Sequence, residues 1–261
     1  MRRSPPIPPT TATADVRALS PGGLTRRAWI GVIGALGAVA AWPGWLLSRA
    51  DAAMPDTPRP VVDERYDHLL PAEIAFLDAA TSRLIPADDL GPSAAEAGVT
   101  VFIDRQLAGA FGGAARWYMQ GPWHDGSEQQ GYQVHATPAQ LYREAIRAID
   151  AHCRATESAA FAALPAARQD ALLRALEKGQ LQLPAVHGKA FFAMLWQNTQ
   201  EGYFADPMYG GNRGFVGWRL VGFPGPRYNY VEAIRRFGQP YDEPPVGVLG
   251  RDWRRRQPGM T

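Results

Sequence analysis

Between Pro71 and Gln200 apolar residues recur at three- and four-residue intervals in five blocks, each bounded by helix punctuation. The first block opens at Pro71, where a missing N–H costs nothing. It carries Ile74, Leu77, Ala80, Ser82, Leu84 and Ile85 roughly on one face before Pro86 ends it. Asp88, Asp89, Gly91 and Pro92 form a turn. A second helix is predicted from Ala94 to Leu107, with Val99, Phe102, Ile103 and Leu107 inward. The third starts with Thr137 as N-cap and Pro138 in the first helical position, and its inner stripe is Leu141, Ala145, Ile149 and Cys153. Pro165 opens a fourth, with Leu172, Leu173 and Leu176 inward and Gly179 as its stop. The fifth runs from Val186 to about Gln200, with Phe191, Met194, Leu195 and Asn198 on one face.

The stretch 109–136, rich in glycine and aromatics (Trp117, Tyr118, Trp123, Tyr132), reads as a long ordered loop, and regular periodicity ends beyond Gly202. No β-branched run with period-two alternation occurs, and no internal repeat is visible. The predicted fold class is therefore mainly α: a compact domain of about five helices with long irregular Gly-, Pro- and aromatic-rich loops.

The segment before these helices has a different character. Residues 1–24 are polar and proline-rich. Thr25-Arg26-Arg27 then precedes an apolar run from Ala28 to Leu47 that is rich in Gly and Ala, and Ala50 and Ala52 stand in the A-x-A relation of a cleavage site. A basic start, a weakly apolar middle and a small-residue exit make an export signal, and the paired arginines select its twin-arginine form. The alternative is a membrane-spanning helix, for which Gly31, Gly34, Gly37, Pro43 and Gly44 make a poor anchor. The expected organisation is an export signal over 1–52, an extended linker over 53–65 broken by Pro55, Pro58 and Pro60, a helical domain over 66–226 and a C-terminal extension over 227–261. The twin-arginine route exports folded cargo, so a cofactor in this chain or in a bound partner becomes the next question.

Charge and composition narrow the answer. The chain of 261 residues is 46% apolar and 20% charged, enough to bury a core, and its formal net charge is +2. The signal region holds Arg2, Arg3, Arg17, Arg26, Arg27 and Arg49 against Asp15 and Asp51. The remainder has 21 basic and 23 acidic side chains, and a nucleic-acid partner loses its support. One cysteine excludes an intramolecular disulfide framework and every Cys-rich metal site. No G-x-G-x-x-G follows a strand (Gly211, Gly214 and Gly217 have the wrong spacing), and no Walker loop, C-x-x-C-H or G-x-S-x-G occurs. His68, His124, His135, His152 and His187 form no metal-ligand spacing. Cys153 beside His152 reads as a small core residue, and Asp88-Asp89 as a turn. The one candidate acid–base pair is His124-Asp125. No catalytic, cofactor-binding or metal-binding residue is assigned in this chain.

The most unusual stretch is Gln200–Gly225, which mixes aromatics with glycines and holds few charges. Tyr, Phe and Trp supply contact area and Gly lets backbone approach a surface, so the composition points to a partner-facing segment; a self-packed loop over the helices is the alternative. The candidate contact residues are Tyr203, Tyr209, Gly210, Gly211, Asn212, Trp218 and Phe223, with Trp218 leading.

Three stretches carry a likeness: Leu84-Ile85-Pro86-Ala87-Asp88-Asp89 leading into Ala94–Val99; Phe102–Leu107; and Asp206–Asn212 with Gly217-Trp218 and Gly222–Gly225. Through them the chain resembles the gluconate 2-dehydrogenase subunit 3 family, the small subunit of membrane-bound FAD-dependent sugar and sugar-acid dehydrogenases. The loop over 109–136 is longer than that likeness leads one to expect, and the extension after Pro226 lies outside it. The resemblance implies a non-catalytic subunit beside a large flavoprotein of the glucose–methanol–choline type holding FAD, together with a multihaem cytochrome c holding haem c. It also implies the twin-arginine translocase as an export partner and a periplasmic location at the inner membrane through the complex. An independent periplasmic enzyme built on His124 and Asp125, or a stand-alone binding or scaffold protein, are the competing classes.

Overall fold

A computed structural model describes residues 65–250, Asp125 and Asp242 excepted. Arg26, Arg27, Ala50, Ala52, most of the linker and the Arg254–Arg256 run lie outside the described residues. Seven helices and no strand occur among them: α1 (Pro71–Leu84), α2 (Val99–Ala108), α3 (Pro138–Glu157), α4 (Ala166–Glu177), α5 (Gly188–Phe204), α6 (Val216–Val221) and α7 (Val231–Arg235). None of them is long and apolar enough to cross a membrane. The mainly α class is as expected, and the two helices beyond five are short and fall after Gly202.

Local signals account for the main helix starts. Thr137 accepts from the Gln140 N–H while the Gln140 side chain takes the Thr137 N–H at 2.9 Å, a capping box ahead of Pro138. At α1 the Glu73 carboxylate accepts the Leu70 N–H at 2.8 Å, with Pro71 in the first turn. Gly179, at φ +66, follows α4 as its stop.

The central helix is α5, which packs against α1, α2, α3, α4 and α6. Around its buried Phe191 lie Phe76 of α1 (6.2 Å between ring centroids) and Tyr142 of α3 (5.3 Å, edge-on); Phe161 stands 4.6 Å from Phe76. Tyr142 is fully buried, and its hydroxyl accepts from Asn198 Nδ2 at 3.0 Å, so these two polar side chains partner each other within the core. The predicted stripe of α3 holds: Leu141, Ala145, Ile149 and Cys153 are all buried. On α1 the core also takes Phe76, while Ile74, Ser82 and Leu84 sit half-buried at the margin.

Two helix boundaries differ from expectation. The second helix begins at Val99 rather than Ala94, because Gly98 is left-handed (φ +84) and 94–98 turn before the helix starts. The fifth continues through Gly202 to Phe204. Gly202 is a packing glycine rather than a stop: a Cβ there would stand 2.8 Å from the Phe102 ring. The 109–136 loop is ordered by its own aromatics, with Trp117 4.8 Å from Tyr132 and 5.7 Å from Phe111 between centroids. It is tied to α3 by the Ala139 N–H on the Gly112 carbonyl at 3.1 Å.

Candidate functional site

The Gly- and aromatic-rich stretch after α5 folds back as a belt across the C-terminal end of that helix. Its path is set by backbone-to-backbone approach. A Cβ on Gly211 would lie 2.0 Å from the Gly202 carbonyl oxygen, and one on Gly217 would lie 2.1 Å from that of Tyr203. No other residue type fits at these points. Asn212, fully buried at φ +47, accepts the Gly217 N–H at 2.8 Å and donates Nδ2 to the Ala205 carbonyl at 2.8 Å. The Trp218 indole N–H donates to the Phe204 carbonyl at 2.6 Å. The Arg213 N–H donates to the Ala97 carbonyl at 3.0 Å, so the belt also fastens the turn before α2, and from within α5 the Tyr203 hydroxyl donates to the Pro92 carbonyl at 3.1 Å.

The seven candidate contact residues therefore divide. Tyr203, Gly210, Gly211, Asn212 and Trp218 are buried inside this chain, Trp218 at 5% exposure, where its ring meets Phe215 and Phe223. Tyr209 (49% exposed) and Phe223 (43%) reach the surface, as does Val221 beside them (54%).

The remaining sequence candidates are scattered. His124 is exposed, and Asp125 lies outside the described residues. Asp88 accepts the Leu90 N–H at 2.9 Å within the predicted turn. Cys153 is fully buried; burial chiefly, with the nearby Asp150 and Glu157 charges, pushes its thiol up to about 11, so it stays protonated at neutral pH. His135 and His187, far apart in sequence, bring their rings to 5.9 Å between centroids. No group of three or more His, Cys, Asp and Glu among the described residues could hold a metal ion. A cleft of about 250 Å³ near the start of α2 is lined by Tyr66, Asp78, Glu96 and Thr100 among others. Its polar groups serve the fold: Thr100 donates to Asp78, and Glu96 takes the Ser93 N–H.

The sequence of this belt and of the helices under it decides the family. Residues 71–225, well over half of the chain, match the Gluconate 2-dehydrogenase subunit 3 family. The chain belongs to that family. Searches of curated proteins and of solved structures gave no match. As a subunit 3 chain it is an accessory subunit of a multi-subunit complex of the gluconate dehydrogenase kind.

One set of surface residues in this subunit 3 chain escaped the sequence reading. Tyr228, Val231, Ile234 and Phe237 recur every third residue through α7 and its flanking turns and are 103%, 48%, 73% and 96% exposed. The spacing was the available signal. It was obscured by the short length of the run and by its position beyond the family-like stretch.

Proposed function

We propose that this chain is the non-catalytic small subunit of a periplasmic, membrane-associated, FAD-dependent complex of the gluconate 2-dehydrogenase kind. In this reading it stabilises and helps mature the large flavoprotein subunit, and its twin-arginine signal carries that folded partner across the membrane. FAD is held by the large subunit and haem c by a cytochrome subunit, both outside this chain. The family match over 71–225 carries the reading. Folded cargo is what a twin-arginine leader transports, which agrees with a subunit exported together with a flavin-loaded partner.

The test is Arg26→Lys with Arg27→Lys in the native host, followed by fractionation. Lys keeps the charge but lacks the guanidinium geometry. Both this chain and the flavoprotein are expected to remain in the cytoplasm. Active flavoprotein in the periplasm of the double variant would overturn shared export. Failure of the tagged wild-type chain to bring down a flavin-containing subunit would overturn the accessory role itself.

A further inference from the structure

Two histidines from separate elements meet at the surface where the 109–136 loop ends and α5 begins. His135 stands between Val134 and Ala136, both buried, and is itself exposed. His187 immediately precedes α5, between Val186, which packs against the core, and the buried Gly188. The two exposed rings lie 5.9 Å apart between centroids, with their planes at 69°. Among the described residues, no hydrogen bond or ion pair engages a nitrogen of either ring. His68 differs, because its Nε2 lies 3.4 Å from Arg143 Nη2, a charge that repels cations.

The backbone is pinned on both sides of the pair. The Tyr132 hydroxyl donates to the Ala136 carbonyl at 2.6 Å. The Phe191 N–H donates to the His187 carbonyl at 2.9 Å, and the Gly188 N–H to that of Val186 at 3.0 Å. A Cβ on Gly188 would stand 3.1 Å from Leu176 Cδ2, so this turn sits tightly on α4. Both imidazoles therefore start from fixed points, the preorganisation that a chelate needs.

We propose that His135 and His187 form a two-imidazole site for a divalent transition-metal ion of the zinc or copper kind, with water in the remaining positions. Imidazole nitrogen suits these ions, whereas Mg²⁺ and Ca²⁺ take oxygen ligands. At a metal–nitrogen distance of about 2.0–2.1 Å, the ion lies roughly 3.2 Å from the centroid of each ring that binds it. Two rings on one ion then have centroids about 5.2 Å apart at a tetrahedral angle and about 6.4 Å apart when they oppose each other. The observed 5.9 Å falls between these values, and rotation of the side chains is the adjustment required. The positive end of the α5 dipole lies beside His187 and opposes a cation, so the second imidazole is what makes binding favourable. A bound ion cross-links the end of the loop to the start of the central helix and adds its binding free energy to the stability of the folded chain. The site is independent of the accessory role.

The test uses the full-length chain in mild detergent, without a polyhistidine tag, as wild type, His135→Ala, His187→Ala and His124→Ala. Each is stripped of metal and titrated with Zn²⁺ by calorimetry. Wild type and His124→Ala are expected to bind one equivalent, and His135→Ala and His187→Ala each to bind at least tenfold more weakly. All four are expected to melt alike without metal, because the altered rings are exposed. Zn²⁺ at ten times its dissociation constant is expected to raise the wild-type melting temperature by about 3 °C or more and to leave both site variants unshifted. Electron paramagnetic resonance of Cu²⁺ on the wild type is expected to show two imidazole nitrogens on one ion, a readout that holds even if a variant unfolds. A single coupled nitrogen would overturn the proposal. So would undiminished Zn²⁺ binding in either site variant, or wild-type binding only above about 1 mM.

Discussion

The indole N–H of Trp218 closes the C-terminal end of α5 by donating to the Phe204 carbonyl at 2.6 Å. The last four carbonyls of a helix have no partner within it, so the residue that marks the family-like stretch serves as a side-chain cap for the central helix. Its ring completes the arrangement between Phe215, 5.4 Å away, and Phe223, 4.9 Å away.

Trp218→Phe keeps most of the packing and leaves the Phe204 carbonyl without its donor, at an expected cost of about 1–3 kcal/mol. Trp218→Ala adds a cavity, for about 3–5 kcal/mol. Urea unfolding of the isolated subunit checks both. The indole offers little free surface, so affinity for the large subunit per folded molecule is expected to change less than about twofold. A large loss of affinity with unchanged stability would show that Trp218 contacts the partner directly.

The glycines of the belt make a graded prediction. Gly211→Ala and Gly217→Ala force a methyl to within 2.0 and 2.1 Å of backbone oxygens, and backbone cannot yield as a flexible side chain can. Each is expected to destabilise the subunit by about 3 kcal/mol or more. Gly214 has φ +63 but nothing within 4 Å of its missing Cβ, so Gly214→Ala is expected to cost only about 1 kcal/mol of backbone strain. Thermal unfolding of the three variants side by side is the measurement. Equal losses would mean that conformation rather than close approach selects these glycines.

What was legible in the sequence was local. Thr137 and Pro138 announce α3 within four residues, and the stripe from Leu141 to Cys153 follows from helical periodicity alone. The boundaries at Gly98 and Gly202 were not legible, because distant groups decide them. Gly98 lies beneath Arg213 and Gly210, and Gly202 receives Phe102 on one side and Gly211 on the other. The belt was recognisable as a distinct segment, yet composition could not say which of its aromatics point inward. Trp218 and Tyr209 are equally at home in an interface or a core, and only the bond to Phe204 and the burial of one ring separate them.

Asp104, on the helix beneath the belt, provides a third test. It is fully buried on α2. Its Oδ2 accepts the Asp67 N–H at 2.8 Å, and its Oδ1 accepts those of His68 and Leu69 at 3.0 and 2.8 Å. Three backbone donors on one carboxylate latch the strand of chain that leads into α1. Asp104→Asn is nearly isosteric but loses the charge and turns one acceptor into a donor, at an expected cost of about 2–3 kcal/mol. Amide exchange should accelerate first at Asp67, His68 and Leu69. Unchanged protection there would show that the latch is held by packing instead.

Alkaline pH should loosen the core through Cys153. Its folded-state thiol is pushed from the ordinary 9.0 to about 11, so the unfolded chain releases this proton at lower pH than the folded one does. The contribution is fully present below pH 9 and is lost as pH rises from 9 toward 11, in all about 3 kcal/mol at about 1.4 kcal/mol per tenfold difference in proton affinity. The Tyr132 phenol, held up at about 12 mainly by burial and partly by Glu144, acts the same way from pH 10 upward. Tyr142, raised further by complete burial, joins it. Both tyrosines remain in Cys153→Ala and cancel in a comparison with it. The expected outcome is a shallower fall in unfolding free energy for the variant between pH 9 and 11, measured by urea titration at each pH. In the wild type, a thiol reagent at pH 8 should modify Cys153 only as the chain unfolds. Rapid modification of the folded subunit would show that the thiol is reached without unfolding, and the pH argument would fail with it.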